Sequence, residues 1–262
     1  MKSNYSSLWL LLAVALTVVV ICSFSDGLTL MGWQMKKAPV AENLFPAPAE
    51  EAPLLAEIPD SVPPVDLVVE EPKLDSLPKS ILLFGDSMTL NLAFRLAKYA
   101  TANGHKLHAV NWDSSNTKIW AESDTLRHFI RKYNADYVFI SLGSNEVYFK
   151  QPDVRLPYVK KILADIGDIP YVWIGPPNWN EDTGINDMLQ KACKPGAFFR
   201  SQGMKFRRKA DHIHPTRSSS ASWIDSIMRW MPKSHHPILA NAPADTLGKV
   251  KTHVEFLEAL NK

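Results

Sequence analysis

The sequence predicts an α/β domain built on a central parallel sheet with helices on both faces. Three observations lead there. Short apolar runs recur along the chain, at Ile81–Phe84, Tyr137–Leu142 and Tyr171–Ile174. Between them lie stretches whose apolar residues fall at helical spacing. Gly, Asn and Pro punctuate the junctions. Strands buried on both faces read as continuous apolar runs, and their alternation with helices implies parallel pairing.

Each element has its own local signature. Ser80–Phe84 is a buried strand. Met88–Asn103 is an amphipathic helix, with Leu92, Leu96 and Tyr99 on one side, and Asn103-Gly104 ends it. Lys106–Val110 is a second, shorter strand. Ser123–Tyr133 is a helix with Leu126, Phe129 and Ile130 inward, and Tyr137–Leu142 is the third strand. Asp153–Ile166 is a helix and Tyr171–Ile174 the fourth strand, succeeded by a loop over Gly175–Asn180. Asp182–Lys194 is a helix, and a weak fifth strand is expected around Ala197–Phe206. Arg217–Met231 is the last helix of the body, with Trp223, Ile227 and Trp230 on one side. Such a body, about 155 residues long, suffices for one core. Beyond Pro232 the tail is loop-like. Leu247, Val250, Val254, Leu257 and Leu260 then predict a short amphipathic helix over Thr246–Leu260, docked on the body or meeting a partner.

Composition narrows the class. The chain has 262 residues, 46% hydrophobic and 21% charged, as in an ordinary globular protein. A formal charge of +2 gives no global attraction to nucleic acid. Cys22 and Cys193 are too few and too far apart for a disulfide framework or a metal site. Cys193 reads as a small helical residue rather than a thiol nucleophile.

The N-terminus carries LWLLLAVALTVVVICSF over Leu8–Phe24, with no charge between Lys2 and Asp26. That run is long enough to span a bilayer, which takes about 20 residues. An uncleaved anchor is the favoured reading. A cleaved signal peptide is the alternative, since Ser23 and Ser25 offer small residues at cleavage spacing. Ile21 argues against a lipoprotein modified at Cys22. A short basic N-terminus leading into an apolar run directs export of the downstream chain. The body is therefore expected on the periplasmic or extracellular side, tethered to the membrane or secreted. Residues from about Ala38 to Pro78 are crowded with Pro, Glu and Ala and read as an extended acidic spacer. The expected organisation is residues 1–25 as anchor, 26–78 as linker, 79–233 as the α/β domain and 234–262 as a tail.

Three short motifs carry chemistry. Phe84-Gly85-Asp86-Ser87 places Ser87 where the first strand turns into a helix, at the sheet end where α/β folds bind ligands. There the serine hydroxyl is exposed, and backbone N–H groups aim at any oxyanion formed. Asp211-His212-Ile213-His214-Pro215 supplies a base, His214, and an orienting carboxylate, Asp211. A serine nucleophile needs that pair within reach. Gly143-Ser144-Asn145-Glu146 comes after the third strand, and the Asn145 side chain can donate to the oxyanion. His212 and His214 lack a third ligand at metal-binding spacing.

Together and in this order, the three motifs resemble those of the SGNH (GDSL-type) hydrolase superfamily, over about Lys79–Pro232. The resemblance implies a three-layer α/β/α flavodoxin-like fold and acyl-ester chemistry with neither metal nor cofactor. It makes Ser87 the nucleophile, His214 the base and Asp211 its partner. Asn145 and the Ser87 N–H become oxyanion donors, and Asp86 a turn former. The family usually has a glycine after its second strand, whose N–H completes the oxyanion hole. Here Asn111–Thr117 has none; Ser115 is the best positional match and Ser114 the next. Serine at this position also resembles cell-envelope O-acetyltransferases.

The expected function is a serine esterase that removes short acyl groups, acetyl foremost, from an envelope or extracellular glycan. One alternative is an O-acetyltransferase fed by a membrane acyl-donor protein. Another is an inactive domain that binds a glycan or scaffolds an envelope complex. Trp112 and Trp179 are candidate sugar-stacking residues.

Overall fold

The computed structural model describes residues 9–14, 17, 29–30, 33–34 and 72–258. The chain divides into two compact units, Met1–Leu67 and Val68–Lys262. In the first, residues 9–14 are helical, and Thr29–Leu30 (β1) pairs antiparallel with Trp33–Gln34 (β2). The predicted span at Leu8–Phe24 lies largely outside the described residues, as does nearly all of the predicted spacer. Among the described residues no helix is long and apolar enough to cross a membrane.

The second unit holds a six-stranded, all-parallel sheet. Its strands are Ser80–Gly85 (β3), Lys106–Trp112 (β4), Tyr137–Ser141 (β5), Tyr171–Ile174 (β6), Phe198–Phe199 (β7) and His253–Leu257 (β8). The order across the sheet is β7-β6-β5-β3-β4-β8. Without β8 this is the 2-1-3-4-5 order of doubly wound sheets, in which the chain reverses direction at the first strand.

Side chains alternate between two cores, one on each face. Leu82, Phe84, Val138, Ile140 and Trp173 enter one, against Thr117–Glu122 (α2), Thr125–Tyr133 (α3), Leu156–Ile166 (α4) and Ile185–Ala192 (α5). Ile81, Leu83, Phe139, Val172 and Ile174 enter the other, against Thr89–Ala102 (α1) and Arg217–Trp230 (α6). Both layers are needed because β3, β5 and β6 are apolar on both sides.

The helix Thr117–Glu122 (α2) is not among the elements the sequence predicts, and four of the predicted ones differ. The helix predicted from Asp153 begins as a 3-10 turn, Pro152–Arg155. The helix predicted from Asp182 starts at Ile185, because the Asp182 carboxylate accepts the N–H groups of Gly184 and Ile185, both at 2.9 Å. The fifth strand shrinks to Phe198–Phe199, and the chain runs on beyond it outside the sheet. The C-terminal helix is replaced by β8, which pairs with β4 through His108–His253, Val110–Glu255 and Trp112–Leu257. Leu247, Val250, Val254 and Leu257 fit a helical stripe. Val254-Glu255-Phe256-Leu257 also suits a strand, and the open backbone edge of β4 decides between them.

The compact body also reaches beyond both predicted boundaries. The Asp75 N–H donates to the Pro237 carbonyl at 2.8 Å, and the Asp75 carboxylate pairs with Lys79 at 2.5 Å and His236 at 3.1 Å. Ile238 is buried, and the Leu239 carbonyl lies 2.9 Å from His105 Nε2.

Candidate active site

Ser87 sits at the carboxyl end of β3, on a turn the local sequence enforces. A Cβ on Gly85 would lie 1.9 Å from the Ser141 carbonyl oxygen, so only glycine fits there. The close approach lets the Asp86 N–H donate to that carbonyl at 3.0 Å. The buried Asp86 carboxylate accepts the Met88 N–H at 3.0 Å, and its backbone carbonyl accepts from Thr89 at 3.0 Å. Asp86 is thus an internal brace, with its side chain turned away from solvent. Burial, with the charges of Glu146 and Asp113 adding to it, pushes its carboxyl up to about 7.

The Ser87 hydroxyl lies 2.8 Å from His214 Nε2, and His214 Nδ1 lies 2.9 Å from Asp211 Oδ2. The other Asp211 oxygen accepts the N–H groups of Ile213 at 2.8 Å and His214 at 2.9 Å. These donors, the His214 N–H foremost, hold the Asp211 carboxyl well below the usual carboxylate range. An ionised Asp211 requires a proton on Nδ1. That leaves Nε2 as the acceptor for the serine hydroxyl.

The segment around this pair is a tight reversal. The Thr216 N–H donates to the Arg207 carbonyl and the Lys209 N–H to the His214 carbonyl, both at 2.8 Å. Arg208 clamps it from behind, donating to the carbonyls of Pro177 at 3.0 Å and Asn178 at 2.8 Å, and to Ile213. Arg208 is not evident in the sequence, where it reads as one cation of a basic run.

Asn145 rides on a turn closed by the Glu146 N–H donating to the Gly143 carbonyl at 3.0 Å. Its amide donates to the Ser115 carbonyl at 2.8 Å, joining the loops that come after β5 and β4. Glu146 anchors the turn from a fully buried position. It accepts the Thr117 hydroxyl at 2.6 Å and pairs with Arg155 at 3.2 Å.

The loop after β4 carries both Ser114 and Ser115, the two candidates for the missing glycine. Ser115 is buried and its N–H donates to the Trp112 carbonyl at 3.1 Å, so that N–H is engaged within the turn. Its hydroxyl accepts from Trp120 at 2.9 Å. Ser114 lines the same cleft as Ser87, and its φ of 59° is the left-handed conformation that glycine adopts most readily. A cleft of about 350 Å³ opens here, lined by Ser87, Asn91, Asp113, Ser114, Lys209 and His214.

Trp112 lies at the end of β4. It is buried, packs edge-on to Trp120 at 5.3 Å and donates to the Glu258 carbonyl at 2.8 Å. The segment around β8 covers it, so no face is offered to a sugar. Trp179 is half-buried, donates to the Ser144 carbonyl at 2.9 Å and meets the exposed Tyr148 edge-on. Cys193 is buried, and burial pushes its thiol up to about 12, which leaves it protonated and unreactive at neutral pH. Among the described residues no three His, Cys, Asp or Glu side chains are grouped to hold a metal.

The arrangement joins the Ser87 hydroxyl, just before the N-terminus of α1, to an imidazole and a carboxylate in one hydrogen-bonded relay. No protein-family model matches the chain, and no curated protein matches it.

Proposed function

We propose that this chain is a serine esterase of the SGNH type, with a three-layer flavodoxin-like fold, acting on short acyl esters of an envelope or extracellular glycan. The observation that carries the reading is the unbroken relay from Ser87 through His214 to Asp211, at 2.8 and 2.9 Å. In this reading Ser87 attacks the ester carbonyl as Nε2 of His214 takes its proton. The oxyanion is held by the N–H groups of Ser87 and Ser114 and by the Asn145 amide. His214 returns the proton to the departing alcohol, leaving an acyl-serine that water then cleaves. No metal or cofactor is required by these steps. The apolar segment at Leu8–Phe24 would tether the body outside the membrane.

Transfer to a second hydroxyl is the other reading, and the polar cleft beside His214 favours it. A sugar held against Asn91, Asp113 and Lys209 would meet the base in place of water. A membrane protein would then supply the acyl group.

Turnover of a chromogenic acetyl ester by the full-length chain, against a Ser87→Ala control, tests the enzyme reading. Equal rates for the two proteins would leave only a binding or scaffolding role. Adding an oligosaccharide acceptor and weighing the products distinguishes hydrolysis from transfer.

A further inference from the structure

The run Lys205-Phe206-Arg207-Arg208-Lys209 is extended and alternates in exposure. Phe206 is half-buried against Trp223, with ring centres 5.3 Å apart, and Arg208 turns inward to the carbonyls it clamps. Lys205, Arg207 and Lys209 are exposed, and no carboxylate among the described residues forms an ion pair with any of them. The nearby acids are already engaged. Asp225 is bound by Arg95 at 2.7 Å and Tyr99 at 3.0 Å, and Asp211 by His214.

These cations connect two concavities. Lys205 and Arg207 line a groove of about 530 Å³ between the segment and α6, along which Ser218, Ser219 and Ser222 run to Arg229. Lys209 lines the cleft beside Ser87 together with Asp113, whose carboxylate accepts from Asn111 at 2.7 Å. The segment is fixed at its middle and at its Lys209 end. The Arg207 N–H donates to the Ser219 hydroxyl at 3.0 Å, and Lys209 belongs to the closed reversal that carries His214.

We propose that Lys205, Arg207 and Lys209 form a binding track for an anionic glycan and deliver its acylated unit to Ser87. The substrate class is then a polysaccharide with carboxylate or phosphodiester groups along its chain. This rests on the acyl-ester reading of the Ser87 site. In an extended chain, alternate side chains stand about 7 Å apart. That is within the screening length of about 10 Å at 0.1 M salt, so their fields overlap. Nucleic acid fits less well, because no exposed aromatic ring is interleaved with the cations to stack on bases.

The test uses the full-length chain with three probes: an oligogalacturonate, a poly(glycerol phosphate) and a neutral cello-oligosaccharide. Calorimetry at low and high salt should show binding of one or both polyanions, weakened by salt, and none of the neutral sugar. The tighter polyanion names the charged group. The variant K205Q/R207Q/K209Q should bind about tenfold more weakly or worse, since each exposed pair contributes up to about fivefold. The double variant K205Q/R207Q, which leaves the cleft beside Ser87 intact, should lower kcat/KM for an acetylated acidic glycan relative to a small acetyl ester, through KM and not kcat. A single K209Q variant, expected to show part of the effect, guards against misfolding of the triple variant. Equal affinity for neutral and acidic sugars, unchanged binding by a folded triple variant, or equally tight binding of single-stranded DNA would overturn the proposal. Polyanion binding without turnover of either ester would instead overturn the esterase reading and leave the track standing.

Discussion

The side-chain amide of Asn145 donates to the backbone carbonyl of Ser115 at 2.8 Å. One residue thereby links the loop after β5 to the turn after β4, which carries Ser114 and Ser115. The second amide hydrogen is the one that can serve an oxyanion.

Asn145→Ala should therefore act twice. Loss of an oxyanion donor costs about 100-fold or more in kcat. Loss of the inter-loop bond costs about 1 kcal/mol of stability. Turnover and urea unfolding measured on the same protein check both. Unchanged turnover would remove Asn145 from the reaction.

Asp211→Asn keeps an oxygen for the Ile213 and His214 N–H groups but can no longer fix the proton on Nδ1. The expected loss is about 100- to 10,000-fold in kcat with the fold intact. The wild-type carboxyl is held below its ordinary 3.8, so the stability it supplies is present above that value and lost as the pH falls below it. A variant with wild-type kcat would show that His214 is oriented by something else.

Glu146→Gln removes the countercharge of Arg155 from a fully buried site and should destabilise by about 3 kcal/mol or more. Replacing Arg155 by Met in the same chain should recover part of that loss. Denaturant unfolding of the single and double variants measures the difference. Additive losses would mean that the pair is not coupled.

Asp86 gives a pH signature of opposite sign. Burial raises its carboxyl from 3.8 to about 7, so the folded state binds the proton more tightly than the unfolded chain. Its contribution is fully present below about pH 4 and is lost as the pH rises through about 7. Asp86→Asn keeps the acceptor for the Met88 N–H and removes this dependence. The variant should gain stability relative to wild type between about pH 5 and pH 8. Parallel pH profiles would contradict the assignment.

The relay of Ser87, His214 and Asp211 is legible in the sequence because each part is local. Asp211 and His214 lie within one tight reversal, and Ser87 comes directly after an apolar strand. The strands at Ser80, Tyr137 and Tyr171 are legible because burial on both faces leaves an unbroken apolar run. What escapes depends on distant chain. The strand at His253 is selected by the free edge of β4, which no local pattern reveals. Trp112 is hidden by that same segment. The left-handed φ at Ser114 escapes too, because serine carries no mark of it. Arg208 works through carbonyls on a loop some thirty residues away.

The most direct measurement is trapping of the covalent intermediate. The full-length chain is mixed with an activated acetyl ester, quenched in acid, digested and weighed peptide by peptide. One added acetyl group is expected on the peptide bearing Ser87, absent from Ser87→Ala and accumulating to less in His214→Ala. Turnover without any acyl group on Ser87, or an acetyl adduct that persists in Ser87→Ala at the wild-type level, would contradict a serine nucleophile at this site.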